Sequence, residues 1–581
     1  MTSTLTISAL RSSAGAQLAR LEGTVPAPAA RALVTGGAVL TAAAAFLSWT
    51  WTADFPGDLT VSGYPGGLQW LTLTAGLLLL LQSLAGQLPR GLRWLAPAGQ
   101  AAALRWLAVG ALAVTWFTLG AIAVELKGLA NLTTGGWIAG AAVLPALYGA
   151  LALPGDQRPA APPRALSAWQ ERLIVTAVAV AGLEIFTYGI DTSYGELFVG
   201  FLITVGLTAT AYVKSGLFER ISGLLTRNRP FAMAAAFAAA AAFPLTQGND
   251  HNANVGVNIL IFATVALGLN IVVGLTGLLD LGYVAFLGVG AYTAALISGS
   301  DYSPFQSAQI PFWAAALVGA GVSLVFGVVI GAPTLRLRGD YLAIVTIGFG
   351  EIFHIVVRNL DGSSGPKITN GPNGIPGIPD ISFFGFNLGA RHKLGVFDIG
   401  RFANYFFLML LVTLVVIAVF SRASNSRIGR AWIAIREDET AAEAMGINGF
   451  RTKLTAFALG AALAGLAGTV SAHVTYSVVP DPYVFAGSAP PNSAFLLAAV
   501  VLGGMGTVSG PLLGASLLYL IPEKLVFVRD YQLLGFGLAL ILLMRFRPEG
   551  IVANRRRRLE FHEHTDIPAQ SGPATLTKAQ A

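Results

Sequence analysis

The chain has 581 residues, 54% of them hydrophobic and only 11% charged, with a net charge of +7 and no cysteine. This balance is far too apolar for soluble domains and fits a polytopic helical membrane protein, and the missing thiols exclude disulfides, cysteine nucleophiles and thiolate metal sites. Long uninterrupted apolar runs, instead of alternation at every second residue, exclude a membrane β-barrel.

The N-terminus carries Arg11, Arg20 and Arg31 ahead of an apolar stretch at 33–52. No small-residue cleavage site and soluble domain follow it, so it reads as a retained first span. Further apolar segments lie near 68–88, 106–124, 133–153, 173–190, 197–213 and 231–245. Charge sets their direction. Arg90, Arg93 and Arg105 share one loop, Arg158, Arg164 and Arg172 a second, and Lys214, Arg220, Arg227 and Arg229 a third, whereas the alternate loops carry Asp54, Asp58, Asp191 and Glu196. Basic loops stay in the cytoplasm, which gives about seven spans starting from a cytoplasmic N-terminus.

At 248–252 the texture changes from Ala/Leu-rich to Gly-rich with discrete motifs, which suggests a domain boundary near residue 250. Spans near 256–275, 281–298, 311–330, 341–357, 404–420 and 453–472 continue the alternation and keep Arg336 and Arg338 inside. They also keep inside a charged stretch at 421–453, and they place 359–404 outside. That external segment is long for a connector and dense in Gly, Pro and Asn, which favours a turn-ordered binding surface. Two pieces at 493–502 and 511–521 are too short to cross, and Gly503, Gly504, Gly506 and Gly510 sit between them. Folded as a re-entrant hairpin, they return the chain to the outer side, so that the last span at 531–546 leaves the basic tail, with its arginine run 555–558, in the cytoplasm. The expected architecture is all-α, with about 14 transmembrane helices plus that hairpin.

In the charged stretch, Ile428, Trp432 and Ile435 fall at helical spacing between Arg427, Arg430 and Arg436, which predicts a short amphipathic helix. Glu437 and Asp438 follow; Asp438 is a natural N-cap for a second turn containing Glu439, Glu443 and Ala444, and Gly446 can close it in a left-handed conformation. Gly429 completes this motif. It reads either as a solvated connector that sets topology or as a docking surface for a soluble partner.

Within the membrane, Gly274, Gly277 and Gly282 interrupt an apolar pair beside Asp280 and Tyr283. An ionised acid there costs several kcal/mol unless it meets water or a partner. Asp280 therefore reads either as the cap of the second helix or as a carboxylate lining a route. Glu351 poses a similar choice between pairing with Arg338 or Arg358 and a transport role. The residues Gly503, Gly504 and Gly506 are pathway candidates because irregular backbone at membrane depth is tolerated only around protein or water. The small residues Gly460, Ala464 and Gly468, at four-residue spacing, are explained by close helix packing.

No nucleophile, base and orienting acid can be assembled, no lysine follows a glycine as in a phosphate loop, and the six histidines lack ligand spacing. The chain is thus expected to be no enzyme and to hold no metal or cofactor. Its net charge is explained by bilayer orientation and not by nucleic acid. A transporter without its own ATPase either borrows an engine or couples to an ion gradient. A membrane scaffold or receptor remains a third reading for the first half.

The second half resembles the membrane subunit of ATP-binding cassette importers for branched-chain amino acids, the LivM type of permease. The likeness is carried by GLTGLLDLGYVAFLGVGAY at 274–292, LRLRGDYLAIVTIGFGEIFHIVVR at 335–358, TNGPNGIP at 369–376, SRIGRAWIAIREDETAAEAMGIN at 426–448, VLGGMGTVSGPLLGA at 501–515 and the closing RPEGI at 547–551. The resemblance implies a plasma (cell inner) membrane permease core over 251–552; the chain departs from the family in an N-terminal extension over 1–250, and 553–581 reads as a basic, disordered cytoplasmic tail. It implies that 426–448 couples to the ATPase, with Arg430, Glu443, Ala444 and Gly446 at its most recognisable positions. It also implies two ATPase subunits, a second related permease and an extracytoplasmic amino-acid-binding protein. Leucine, isoleucine and valine are the implied cargo, with urea or short amides the alternative within the same class.

Overall fold

The computed structural model describes residues 21–552 apart from 52–54, 56, 86–91, 157–165, 248, 338, 364, 384, 396, 488, 489 and 548. Readings that rest on Arg11, Arg20, Asp54, Arg90, Arg158, Arg164, Arg338 and the tail 553–581 lie outside the described residues, as does the side chain of Arg93.

Among the described residues the apolar runs become α1 (Ala27–Ala44), α2 (Leu68–Ala85), α3 (Ala101–Glu125), α4 (Thr134–Ala152), α5 (Ala168–Asp191), α6 (Gly195–Lys214), α7 (Leu217–Arg227) and α8 (Arg229–Thr246). There follow α9 (Asp250–Asn270) with a π-helical turn at Ile271–Leu275, α10 (Val284–Ile297), α11 (Phe312–Thr334), α12 (Asp340–Asn359) and α13 (Arg401–Asn425). The last elements are α14 (Arg427–Glu437), α15 (Glu439–Ala444), α16 (Gly449–Thr475), α17 (Ser493–Gly503), α18 (Ser509–Lys524), α19 (Val526–Asp530) and α20 (Gln532–Phe546). Twelve of the described helices are long and apolar enough to cross a bilayer, and the protein is an all-α, multi-pass membrane protein. The expected passages at 281–298 and 531–546 are present as α10 and α20, with 14 and 15 residues.

The first helix departs from expectation. It starts six residues before 33, with Pro28 in a first turn that has no need of its N–H, and it ends at Ala44. Beyond Ala45 the backbone turns away to bridge Thr50 with Leu132, and buried Trp49 donates its indole N–H back to the Ala44 carbonyl at 2.9 Å.

Two compact units emerge. One holds the residues up to 260 together with 380–411 and 519–532. In it α1 and α4 approach closely: a β-carbon at Gly37 would overlap Ala146, and one at Gly149 would overlap the Ala30 carbonyl. Arg105 satisfies helix-end carbonyls at Ala150 and Leu153 and pairs with Glu22 at 2.6 Å. In the 380–404 segment, strands β2 (Ser382–Phe383) and β3 (Phe386–Asn387) pair antiparallel, as do β4 (His392–Leu394) and β5 (Phe397–Ile399). Asp380 clasps this segment onto α13, accepting from Arg401 at 3.0 and 3.1 Å and from the Tyr405 hydroxyl at 2.8 Å. Asp380→Ala removes charge-assisted bonds from a guanidinium with a side chain only 12% exposed. It is expected to cost about 2 kcal/mol, read as a lowered thermal midpoint in detergent.

The other unit holds 261–379, 412–518 and 533 onward. Its centre is α16 against α10 and α11, three helices joined through small residues. A two-residue strand at Ile375–Pro376, β1, pairs antiparallel with β6 at Ser477–Val478. Helices α17 and α18 fold back on each other so closely that β-carbons at Gly503 and Gly514 would fall on the carbonyls of Gly510 and Ala499.

Candidate functional site

The charged stretch folds as a chain of capped helices. Ser426 opens α14 by accepting from the Gly429 N–H at 3.2 Å, Asp438 opens α15 by accepting from Ala441 at 2.9 Å, and Asn448 opens α16 by accepting from Arg451 at 2.9 Å. Gly446, at φ +88°, closes α15; its N–H reaches the Glu443 carbonyl and the Ile447 N–H reaches that of Ala442. The anticipated caps at Asp438 and Gly446 are thus both present.

Its underside is rooted in the membrane core. Trp432, 2% exposed, packs with Leu267, Ile271, Leu275, Phe420 and Ala456 and donates its indole N–H to the Thr452 carbonyl at 2.9 Å. Buried Lys453 holds Glu439 at 2.6 Å, which ties α15 to the start of α16. The opposite side is open: Arg427, Arg430, Glu437, Asp438, Glu443, Ala444 and Gly446 are exposed. Apolar Met445 stands 84% exposed among them, with Phe450 nearby. Ile428 corrects the sequence reading. It was expected on the apolar side with Trp432 and Ile435, but it occupies the first turn of α14 and is exposed. Gly429 is buried, and half-buried Arg436 turns inward, its Nη1 donating to the Gly274 carbonyl at 2.6 Å.

That carbonyl belongs to the π turn that ends α9, and the glycine-rich break follows it. Asp280 is 1% exposed; its Oδ1 accepts from the Gly282 N–H at 3.0 Å, and its Oδ2 has no partner among the described residues. Asp280 is therefore not the N-cap of α10. Tyr283 occupies that position, and the Val284 N–H is taken by the Ser493 hydroxyl at 3.1 Å. The Tyr283 hydroxyl donates to the Gly460 carbonyl at 2.6 Å. Thr346 of α12 accepts from the Leu281 N–H at 3.0 Å, and a β-carbon at Gly282 would overlap the Thr346 carbonyl.

Gly350 abuts Gly282, which turns the next residue, Glu351, outward among exposed Ile352, Ile355 and Val356. Neither Glu351 nor Arg358 makes an ion pair among the described residues, and Arg338 lies outside them.

The structure thus brings Gly277, Asp280, Gly282 and Tyr283 together and leaves Glu351 on another face. The second glycine loop joins the first through a residue the sequence reading passed over. Buried Asn270 accepts from the Gly506 N–H at 2.8 Å and donates to the Thr507 carbonyl at 2.7 Å. Its signal was a lone amide in an apolar run, a group that must find partners when buried. Gly503 and Gly504 meet the closing segment, where the Ile551 and Val552 N–H groups donate to the Leu502 and Gly503 carbonyls at 2.9 Å.

A membrane helix interrupted at a π turn, two glycine loops clasped together and a capped surface helix pair rooted beneath them are parts suited to moving a solute. They fit a transport permease. The chain belongs to the family described as the permease component of the branched-chain amino acid transport system, which it matches over residues 252–544. It is 38% identical over 359 residues to the high-affinity branched-chain amino acid transport permease LivM of Salmonella typhimurium, covering 59% of this chain and 79% of the relative. To LivM of Escherichia coli it is 40% identical over 315 residues, covering 52% and 70%. The LivH permease of Salmonella typhimurium is 24% identical over 303 residues, covering 50% and 91%. No solved structure gives a significant match.

Proposed function

We propose that the chain is the translocating subunit of an ATP-binding cassette importer for branched-chain amino acids, driven by separate ATPase subunits seated on α14–α15. The observation that carries this reading is the exposed, capped helix pair between two membrane helices, α13 and α16, with Met445 bare between exposed Glu443 and Arg451. A connector that only sets topology needs charge, but it needs neither three side-chain caps nor an exposed methionine. In this reading α14–α15 and both termini are cytoplasmic, and the membrane is the plasma (cell inner) membrane. The first 250 residues form an extension to a permease core.

A second, related permease completes the pore. Glu351 stands exposed midway along α12 among apolar residues, and a carboxylate facing lipid there is costly unless protein or a water-filled route covers it. A related subunit with a polar seam along that face supplies the cover. On the opposite membrane face, an amino-acid-binding protein delivers cargo to the loop 359–404, where Arg391 and Phe386 are exposed.

Glu443→Lys reverses charge at the exposed rim of α15, where the carboxylate lies over Gly449 at the start of α16. With the partner ATPases co-expressed, the variant is expected to lose most co-purifying ATPase and at least tenfold of ATP-driven uptake, at an unchanged thermal midpoint. Normal uptake in that variant, or gradient-driven uptake by the purified chain alone, would overturn the reading.

A further inference from the structure

Of the basic residues on α14, Arg436 is the one that reaches into the membrane core. Its Nη1 donates to the Gly274 carbonyl at 2.6 Å, at the C-terminal, electronegative end of the interrupted helix, where carbonyls lack partners along the helix axis. Its path is shaped for it. A β-carbon at Gly277, held at φ +73°, would lie 2.9 Å from the Arg436 Cγ. Trp432, one turn earlier on α14, packs in the same cluster as Ile271 and Leu275, so α14 grips the π turn at two points. Four residues before Gly274, Asn270 holds the Gly506–Thr507 loop by both ends of its amide. A π turn has a poorer ladder than a regular helix, so it can change register with few bonds broken.

We propose that Arg436 is a positioning residue that carries movement of α14 into the translocation route. It acts through the Gly274 carbonyl on the π turn beside Asp280, and through Asn270 on the Gly506–Thr507 loop. This rests on the reading that α14–α15 receives the ATPases. In the role given it here, Arg436 does not bind the ATPase; it links the docked helix to the pore.

The test uses the full transporter, with both permeases, the ATPase chains and the binding protein, in proteoliposomes. Arg436→Met is expected to keep the ATPases bound and hydrolysing, while uptake falls at least tenfold and ATP consumed per substrate rises by the same factor. Arg436→Lys, which keeps one donor for the carbonyl, should recover part of the loss. Normal coupling in Arg436→Met overturns the proposal, and so does loss of ATPase binding, which would make Arg436 a docking residue. Failure of the unaltered chain to bind ATPase would instead sink the functional reading beneath it.

Because the chain has no cysteine, a second measurement is available. The β-carbon of a residue at 277 would lie 3.5 Å from that of Arg436, within disulfide range. In a Gly277→Cys, Arg436→Cys double variant, oxidation is expected to form the cross-link and to restore coupled uptake absent from the reduced form. No cross-link, or equal uptake in the two states, overturns the link.

Discussion

Gly465→Leu is expected to abolish recovery of monodisperse protein. A β-carbon at this position would overlap Ser323 of α11, and the Gly319 carbonyl stands 2.9 Å away. From the third helix, a β-carbon at Gly290 of α10 would overlap the backbone of Gly465 itself. Ser323 cannot step aside freely, because its hydroxyl donates to the Phe286 carbonyl at 3.0 Å. Extra methylenes in a packed core cost about 1–3 kcal/mol even when side chains can shift. Here the first of four added carbons already meets backbone, so the helices must separate, and in lipid no hydrophobic force draws them back. Gly321→Leu is the control, since nothing lies within 4 Å of its β-carbon position on the same α11. Size-exclusion profiles and thermal midpoints in detergent decide the matter. A Gly465→Leu protein that elutes and melts like the parent would show that the three-helix junction is not what holds this unit together.

The membrane helices were legible because a span needs about 20 apolar residues, and so long a window outvotes local noise. Gly460, Ala464 and Gly468 were also read correctly as packing residues. Gly460 meets α9 at Gly268, and Gly468 meets α10 at Leu287 and Ala291. Caps at Asp438 and Gly446 were legible because capping is a local contest between a side chain and the next turn. What escaped depends on distant partners. Ile428 has the right spacing for the buried side, but a helix buries a residue only where another element covers it, and the covered side of α14 runs through Gly429, Trp432 and Ile435, one position round from Ile428. The π turn leaves no composition signal, and the inward path of Arg436 depends on glycines more than 150 positions away. The first helix was misplaced because residues 45–51 are apolar enough for a span yet are drawn into a bridge with Leu132.

Asp280→Asn is expected to leave the fold intact and to cut uptake at least tenfold. The substitution keeps an oxygen where Oδ1 accepts from the Gly282 N–H, so the turn ahead of α10 retains its bond. What it removes is the acid group at Oδ2, which is buried and has no partner among the described residues. That oxygen decides between the two readings of the residue. A turn at this place is served equally well by asparagine, without the several kcal/mol that a carboxylate costs at membrane depth. Stability should therefore stay level or rise when the acid is removed, the mark of a group kept for activity at the expense of stability. Thermal midpoint and uptake, measured on the same preparation, separate the possibilities. An unchanged midpoint with lost uptake places the carboxylate on the route of the solute. Lost midpoint and lost uptake together would reduce it to a structural anchor, and full uptake would leave it only the Gly282 turn.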